Sequence, residues 1–173
     1  MHIFLTGPIQ IGKSTIIHKA ISDMASEKLG GFRSITMKTK LPGAIGEVYL
    51  LPPAGYATYT RDNLIGVRWG QGRFSAFPQV FEDYGLQLLS ANASHRLIIM
   101  DELGVMEQNA PIFRSRILEI LNGPVPVLGV VKPKPGLLLD AVRAHPQVHV
   151  FEVSENNRDT LPKQIRDLLL EMQ

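Results

Sequence analysis

The run Gly7-Pro8-Ile9-Gln10-Ile11-Gly12-Lys13-Ser14-Thr15 satisfies G-x-x-x-x-G-K-[ST] without a mismatch. A phosphate cradle needs that spacing. Successive backbone N–H groups must turn inward on the anion, and glycine at positions 7 and 12 lets the chain approach it closely. Lys13 then reaches the β- and γ-phosphates of a bound nucleotide, and the Ser14 hydroxyl is a ligand for Mg²⁺. A helix opening directly behind the loop adds about half a positive charge at its N-terminus. Average residue frequencies give a chance match in a chain of this length about once in two hundred sequences. The context lowers that further, because the run follows an apolar stretch and opens an amphipathic one, as the motif requires.

A second constellation is the apolar run Arg96-Leu97-Ile98-Ile99-Met100-Asp101, followed by Glu102. A strand ending in Asp101 sets a carboxylate beside the phosphate loop, where it holds Mg²⁺ through the water shell of the ion. One residue further, Glu102 is placed to polarise an attacking water as general base. Asp101-Glu102-Leu103-Gly104 also reads D-x-x-G, which predicts that the Gly104 N–H reaches the γ-phosphate. Two readings stand for Glu107: a brace for the metal shell, or an acid at the start of a helix.

These groups need a scaffold. Residues 2–6 read as a buried strand bounded by Gly7-Pro8. Ile17, Ala20, Ile21 and Met24 recur at i, i+3, i+4, i+7 and mark a helix, which Gly30-Gly31 is expected to end. A strand over 32–37 would bury Phe32, Ile35 and Met37. From 41 to 80, Pro and Gly punctuate β-prone pieces at 46–51, 56–60 and 64–69, which predicts an antiparallel extension. A helix over 81–92 places Phe81, Tyr84 and Leu88 on one face. Beyond 101 come a helix after Pro111 that buries Phe113, Ile117, Ile120 and Leu121, a strand at 125–131 and a short helix over 137–144. A strand at 148–153 and a final helix that buries Leu161, Ile165, Leu168 and Leu169 complete the alternation. The result is one α/β domain spanning residues 1–173 around a mostly parallel sheet flanked by helices.

Composition fits that reading. With 173 residues, 45% hydrophobic and 20% charged, the chain suits a single globular α/β domain. There is no cysteine, hence no thiolate site, and no apolar run approaches a membrane span. The N-terminus reads as a core strand rather than a signal peptide, so a cytoplasmic location is the default. A net charge of +2 is too small to argue for a nucleic-acid surface.

Several residues keep two readings. Arg158, in Asn156-Asn157-Arg158-Asp159 after the last strand, either stacks on a base or caps the final helix. Arg114 and Arg116 either stabilise transferred charge or are solvated helix charges. The stretch Lys132-Pro133-Lys134-Pro135-Gly136 is either a mobile loop near the phosphates or a plain turn. Trp69 either lines a substrate surface or packs a hairpin. The five histidines show no metal-ligand spacing and read as structural.

Taken together, Ile3–Thr15, Gly30-Gly31-Phe32, Leu97–Glu107, Pro126–Val130 and Asn157-Arg158-Asp159 resemble the small nucleoside-triphosphatase family of the thermophilic prokaryotic and animal cancer-related type. The resemblance implies a RecA-like P-loop core, Mg²⁺-dependent hydrolysis of several nucleoside triphosphates to diphosphates, and little base selectivity. Two positions depart from the family pattern. Val105 stands where a lysine is usual, which implies slower hydrolysis or another cation in its place. Pro8-Ile9-Gln10-Ile11 replaces a more glycine-rich loop and should stiffen it. Two rivals share the phosphate loop: a kinase passing the γ-phosphoryl to a small acceptor, and a nucleotide-dependent switch module. A kinase would want an arginine-rich lid that the sequence does not display, and Glu102 beside Asp101 favours activation of water.

Overall fold

In the computed structural model, which describes residues 1–56, 58–90 and 94–172, strand β1 (His2–Thr6) lies inside an eight-stranded sheet. The strands are β2 (Leu29–Met37), β3 (Ala44–Leu51), β4 (Leu64–Trp69), β5 (Phe74–Ala76), β6 (Leu97–Leu103), β7 (Val127–Val131) and β8 (Val148–Glu152). Their order is β5-β4-β3-β2-β6-β7-β1-β8. From β2 to β8 every pairing is parallel, whereas β3, β4 and β5 extend the sheet antiparallel. The five parallel strands have the RecA-like order, with β7 between the strand that feeds the phosphate loop and the strand that carries Asp101.

Period-two alternation assigns the two faces. Ile3 and Leu5 point to one face with Ile99, Leu128 and Val130, and there α1 (Lys13–Ala20) and α5 (Leu161–Glu171) cover them with Ile16, Ile17, Ile165 and Leu169. Phe4 and Met100 point to the other. That face is covered by a helix over 78–88 (α2), whose middle turn Phe81–Gly85 is π-helical, by α3 (Pro111–Leu121) and by α4 (Leu137–Ala144). Phe113 is at the centre of this layer, its ring tilted against Phe32 and Phe81 with centroids 5.6 and 5.2 Å away. No helix among the described residues is long and apolar enough to cross a membrane.

The structure corrects several expected boundaries. Helix α1 stops at Ala20, and Gly30 and Gly31 belong to β2 instead of terminating a helix. They are glycines for a packing reason. A Cβ on Gly31, at φ +92°, would fall 2.0 Å from the Ile99 carbonyl oxygen of β6, and one on Gly30 would enter the His95 ring. Of the three apolar residues expected to be core in β2, only Phe32 is buried; Ile35 is half-buried and Met37 exposed, on the part of β2 that runs past its last pairing with β6 at Arg33. The segment at 56 and 58–60 forms no strand, with Ala57 outside the described residues. The helix expected over 81–92 instead runs over 78–88, and residues 91–93 lie outside the described residues. The antiparallel extension itself is present as β3–β5.

Candidate active site

All five parallel strands point the same way, so everything that follows β1, β6, β7 and β8 collects at one edge of the sheet. Strand β4, antiparallel twice over from β2, ends at that edge as well. The chemistry gathers there.

The phosphate loop leaves β1 at Gly7 and enters α1 through Gly12, whose φ of +105° is left-handed and whose position has open space around it. No side chain caps α1, so its first-turn N–H groups face the loop. Gln10 also takes a positive φ of 63°, and Pro8, Ile9 and Gln10 are exposed at the loop crest, with Ile11 half-buried. The Lys13 ammonium bends back over the cradle and donates to the carbonyls of Gly7 (2.9 Å) and Pro8 (2.6 Å). Burial holds the Lys13 ammonium below its usual range, and the nearby Lys132 adds to this, while Glu102 and Asp101 oppose it.

Opposite the loop, Asp101 is buried at the end of β6 and borders the same cavity as Ser14. Burial pushes the Asp101 carboxyl up, with Glu102 adding to the shift and the Ser14 hydroxyl, His18 and Lys13 working against it. A buried, incompletely neutralised carboxylate beside a hydroxyl oxygen is a donor set suited to Mg²⁺, a hard cation that takes oxygen ligands and shares itself with substrate phosphates. Thr15, the last residue of the motif, is exposed on the first turn of α1.

Next to Asp101, Glu102 faces a cavity of about 190 Å³ bordered by Ser14, Ser34, Arg68, Asp101 and Lys132. Its backbone N–H lies 3.4 Å from the Ser34 hydroxyl, and its carboxylate forms a 2.6 Å ion pair with Lys132. Gly104 lines the same cavity, but its N–H is donated to the buried carboxylate of Glu107. Glu107 stands in the first turn of a short 3-10 helix (Met106–Asn109), an acid at a helix start; its buried carboxylate also closes the turn after Glu102, and burial pushes its carboxyl up.

The remaining candidates also fall into place. Arg158 is exposed in the turn after β8, which adjoins the loop through Val153: the Val153 N–H donates to Thr6, and its carbonyl sits against Gly7. Asn157 ties that turn down through its bonds to Ser154 N–H and the Glu152 carbonyl. Arg114 and Arg116 do not border the cavity; Arg116 pairs with Glu119 and donates to the Leu89 carbonyl. Trp69 donates to Ser75 across the β4–β5 hairpin. The stretch after β7 is a braced turn, because Arg143 donates to the carbonyls of Lys132 and Lys134 at 2.7 Å each. It also carries Lys132 into the site. Sequence reasoning missed Arg68 and left Lys132 as one of two readings. Neither belongs to a spaced motif, and only the strand order brings them to Glu102. A larger groove of about 870 Å³ opens at the opposite edge of the sheet, near Lys28, Arg96 and Pro126, and contains none of this chemistry.

The human cancer-related nucleoside-triphosphatase is 29% identical, over 92% of this chain and 92% of its own. Its mouse homologue is 30% identical over the same shares. The nucleoside-triphosphatase THEP1 of Methanosarcina barkeri is 29% identical over 99% of both chains. The crystal structure of THEP1 from Aquifex aeolicus shares the fold at a TM-score of 0.73 and 22% identity, covering 98% of this chain and 99% of that one. The solution structure of the human cancer-related nucleoside triphosphatase aligns at a TM-score of 0.65 and 26% identity, over 99% and 98%. The family model described as NTPase matches residues 2–166, and the chain belongs to that NTPase family.

Proposed function

We propose that this protein hydrolyses nucleoside 5′-triphosphates to the diphosphate and phosphate, with Mg²⁺ and with little selectivity for the base. The observation that carries the reading is the meeting of Ser14, Asp101 and Glu102 on one cavity at the mouth of the phosphate loop. The names of the relatives, nucleoside-triphosphatases in animals and archaea, point the same way.

The chain's own groups divide the work. The loop N–H groups and Lys13 hold the β- and γ-phosphates and spread the charge that shifts toward the leaving diphosphate. To do so, the Lys13 ammonium exchanges the Gly7 and Pro8 carbonyls for phosphate oxygens. Ser14 and Asp101 would hold Mg²⁺, which when bound neutralises charge on the β- and γ-phosphate oxygens. Glu102 orients a water in line with the γ-phosphorus and accepts its proton. The new bond is from the water oxygen to phosphorus; the bond that breaks is from phosphorus to the bridging oxygen, whose electron pair leaves with the diphosphate. Arg158 is exposed beside the loop, where stacking on the face of a base would not read its edge and so would accept several bases.

Phosphate release from ATP, GTP, CTP and UTP, each with Mg²⁺ and with excess chelator, tests the proposal. Release from several of the four, abolished by chelator and by Lys13→Ala, is the expected result. Binding of nucleotide without release from any of them would contradict it.

A further inference from the structure

The ion pair between Lys132 and Glu102 poses a problem for the chemistry just described. Its 2.6 Å separation and the modest exposure of both side chains, 26% and 29%, leave the carboxylate engaged by an ammonium. The ammonium engages Oε1 and so occupies one side of the carboxylate, where a water would otherwise be held. Drawing the ammonium off would free that oxygen.

The surroundings of Lys132 identify what does. Its backbone N–H donates to the Leu103 carbonyl at the end of β6, and Arg143 fixes its carbonyl, so the root of the side chain is anchored. The stem crosses Gly104 closely enough that a Cβ there would lie 3.2 Å from Cδ and 3.3 Å from Nζ. The head group therefore ends in the cavity shared with Ser14 and Asp101, near enough to Lys13 to disfavour that residue's charge. Two ammonium groups thus stand near the site, Lys13 on the carbonyls of the phosphate loop and Lys132 in the cavity at the end of β7. A γ-phosphate entering between them carries more charge than one carboxylate and competes for both.

We propose that Lys132 is a further catalytic residue: when nucleoside triphosphate enters, its ammonium leaves Glu102 for a non-bridging oxygen of the γ-phosphate. The exchange does two things together. It frees Oε1 of Glu102 for water only when substrate is present, and it adds a second fixed cation to the phosphoryl group as its P–O bond breaks. Lys132 keeps its proton throughout. The inference rests on the reading of this site as a triphosphatase.

The test compares wild type, Lys132→Met, Lys132→Arg and Glu102→Gln in kcat, in affinity for ADP, and in affinity for ADP with aluminium fluoride, a mimic of the transferred phosphoryl. Lys132→Met should lower kcat by about a hundredfold or more while leaving ADP affinity within about threefold. The aluminium fluoride complex should weaken in parallel with kcat, and Lys132→Arg should recover part of both. A Lys132→Met enzyme with kcat within about threefold of wild type would overturn the proposal. So would a lost kcat with an undiminished aluminium fluoride complex, which would leave Lys132 a structural partner only. Unimpaired hydrolysis by Glu102→Gln combined with loss in Lys132→Met would instead sink the general base and retain the Lys132 contact to phosphate.

Discussion

The buried carboxylate of Glu107 accepts the N–H of Gly104, three residues earlier, and so closes the turn that leaves β6 just after Glu102. The turn is held from within the core and not by solvent. The end of β6 that carries Asp101 and Glu102 thereby inherits the rigidity of the packing beneath it.

Glu107→Ala should therefore cost stability and rate together. It strands a buried N–H, at a cost of about 1–3 kcal/mol, and loosens the turn beside the base. Glu107→Gln keeps an acceptor for Gly104 and resembles the protonated carboxyl that burial favours, so it should stay close to wild type. Urea denaturation and kcat of the two variants check this; equal behaviour of Ala and Gln would count against it.

Gly31→Ala tests the closeness of β2 and β6. The added methyl meets the Ile99 carbonyl oxygen at 2.0 Å in a backbone conformation unfavourable to alanine. A loss of roughly 2 kcal/mol or more is expected. Chemical denaturation showing less than about 0.5 kcal/mol would mean that the two strands separate easily.

His2 predicts a pH dependence of stability. It is buried, its Nδ1 accepts the Val127 N–H at 3.2 Å, and its Nε2 faces the Leu121 carbonyl at 2.8 Å. That pattern requires the neutral ring, and burial lowers its pKa from the ordinary 6.5. The unfolded chain thus binds a proton that the folded one refuses. The stability contributed is complete above pH 6.5 and is lost as pH falls from there through the folded value. The stability advantage of wild type over His2→Asn should shrink between neutral pH and pH 5; an advantage that stays constant would contradict it.

The sequence made the phosphate loop and the Asp101-Glu102 pair legible because both depend on short, fixed spacing. It also disclosed the helix faces of Phe113 and Ile165, where burial follows a local period. What it concealed depends on contacts between distant segments. Gly30 and Gly31 look like a helix stop, yet they serve strand packing against His95 and Ile99. Met37 is apolar but exposed, past the last pairing of β2 with β6. The pairing of Lys132 with Glu102 could not be located from spacing, since Lys132 follows β7, which is next to β6 only in the folded sheet.

The central claim, that Glu102 activates water, is tested most directly by Glu102→Gln under single-turnover conditions with ATP and Mg²⁺, alongside its affinity for a non-hydrolysable triphosphate. Affinity within about threefold of wild type, with the chemical step slowed by about a hundredfold or more, is the predicted result. A chemical step at the wild-type rate would contradict it.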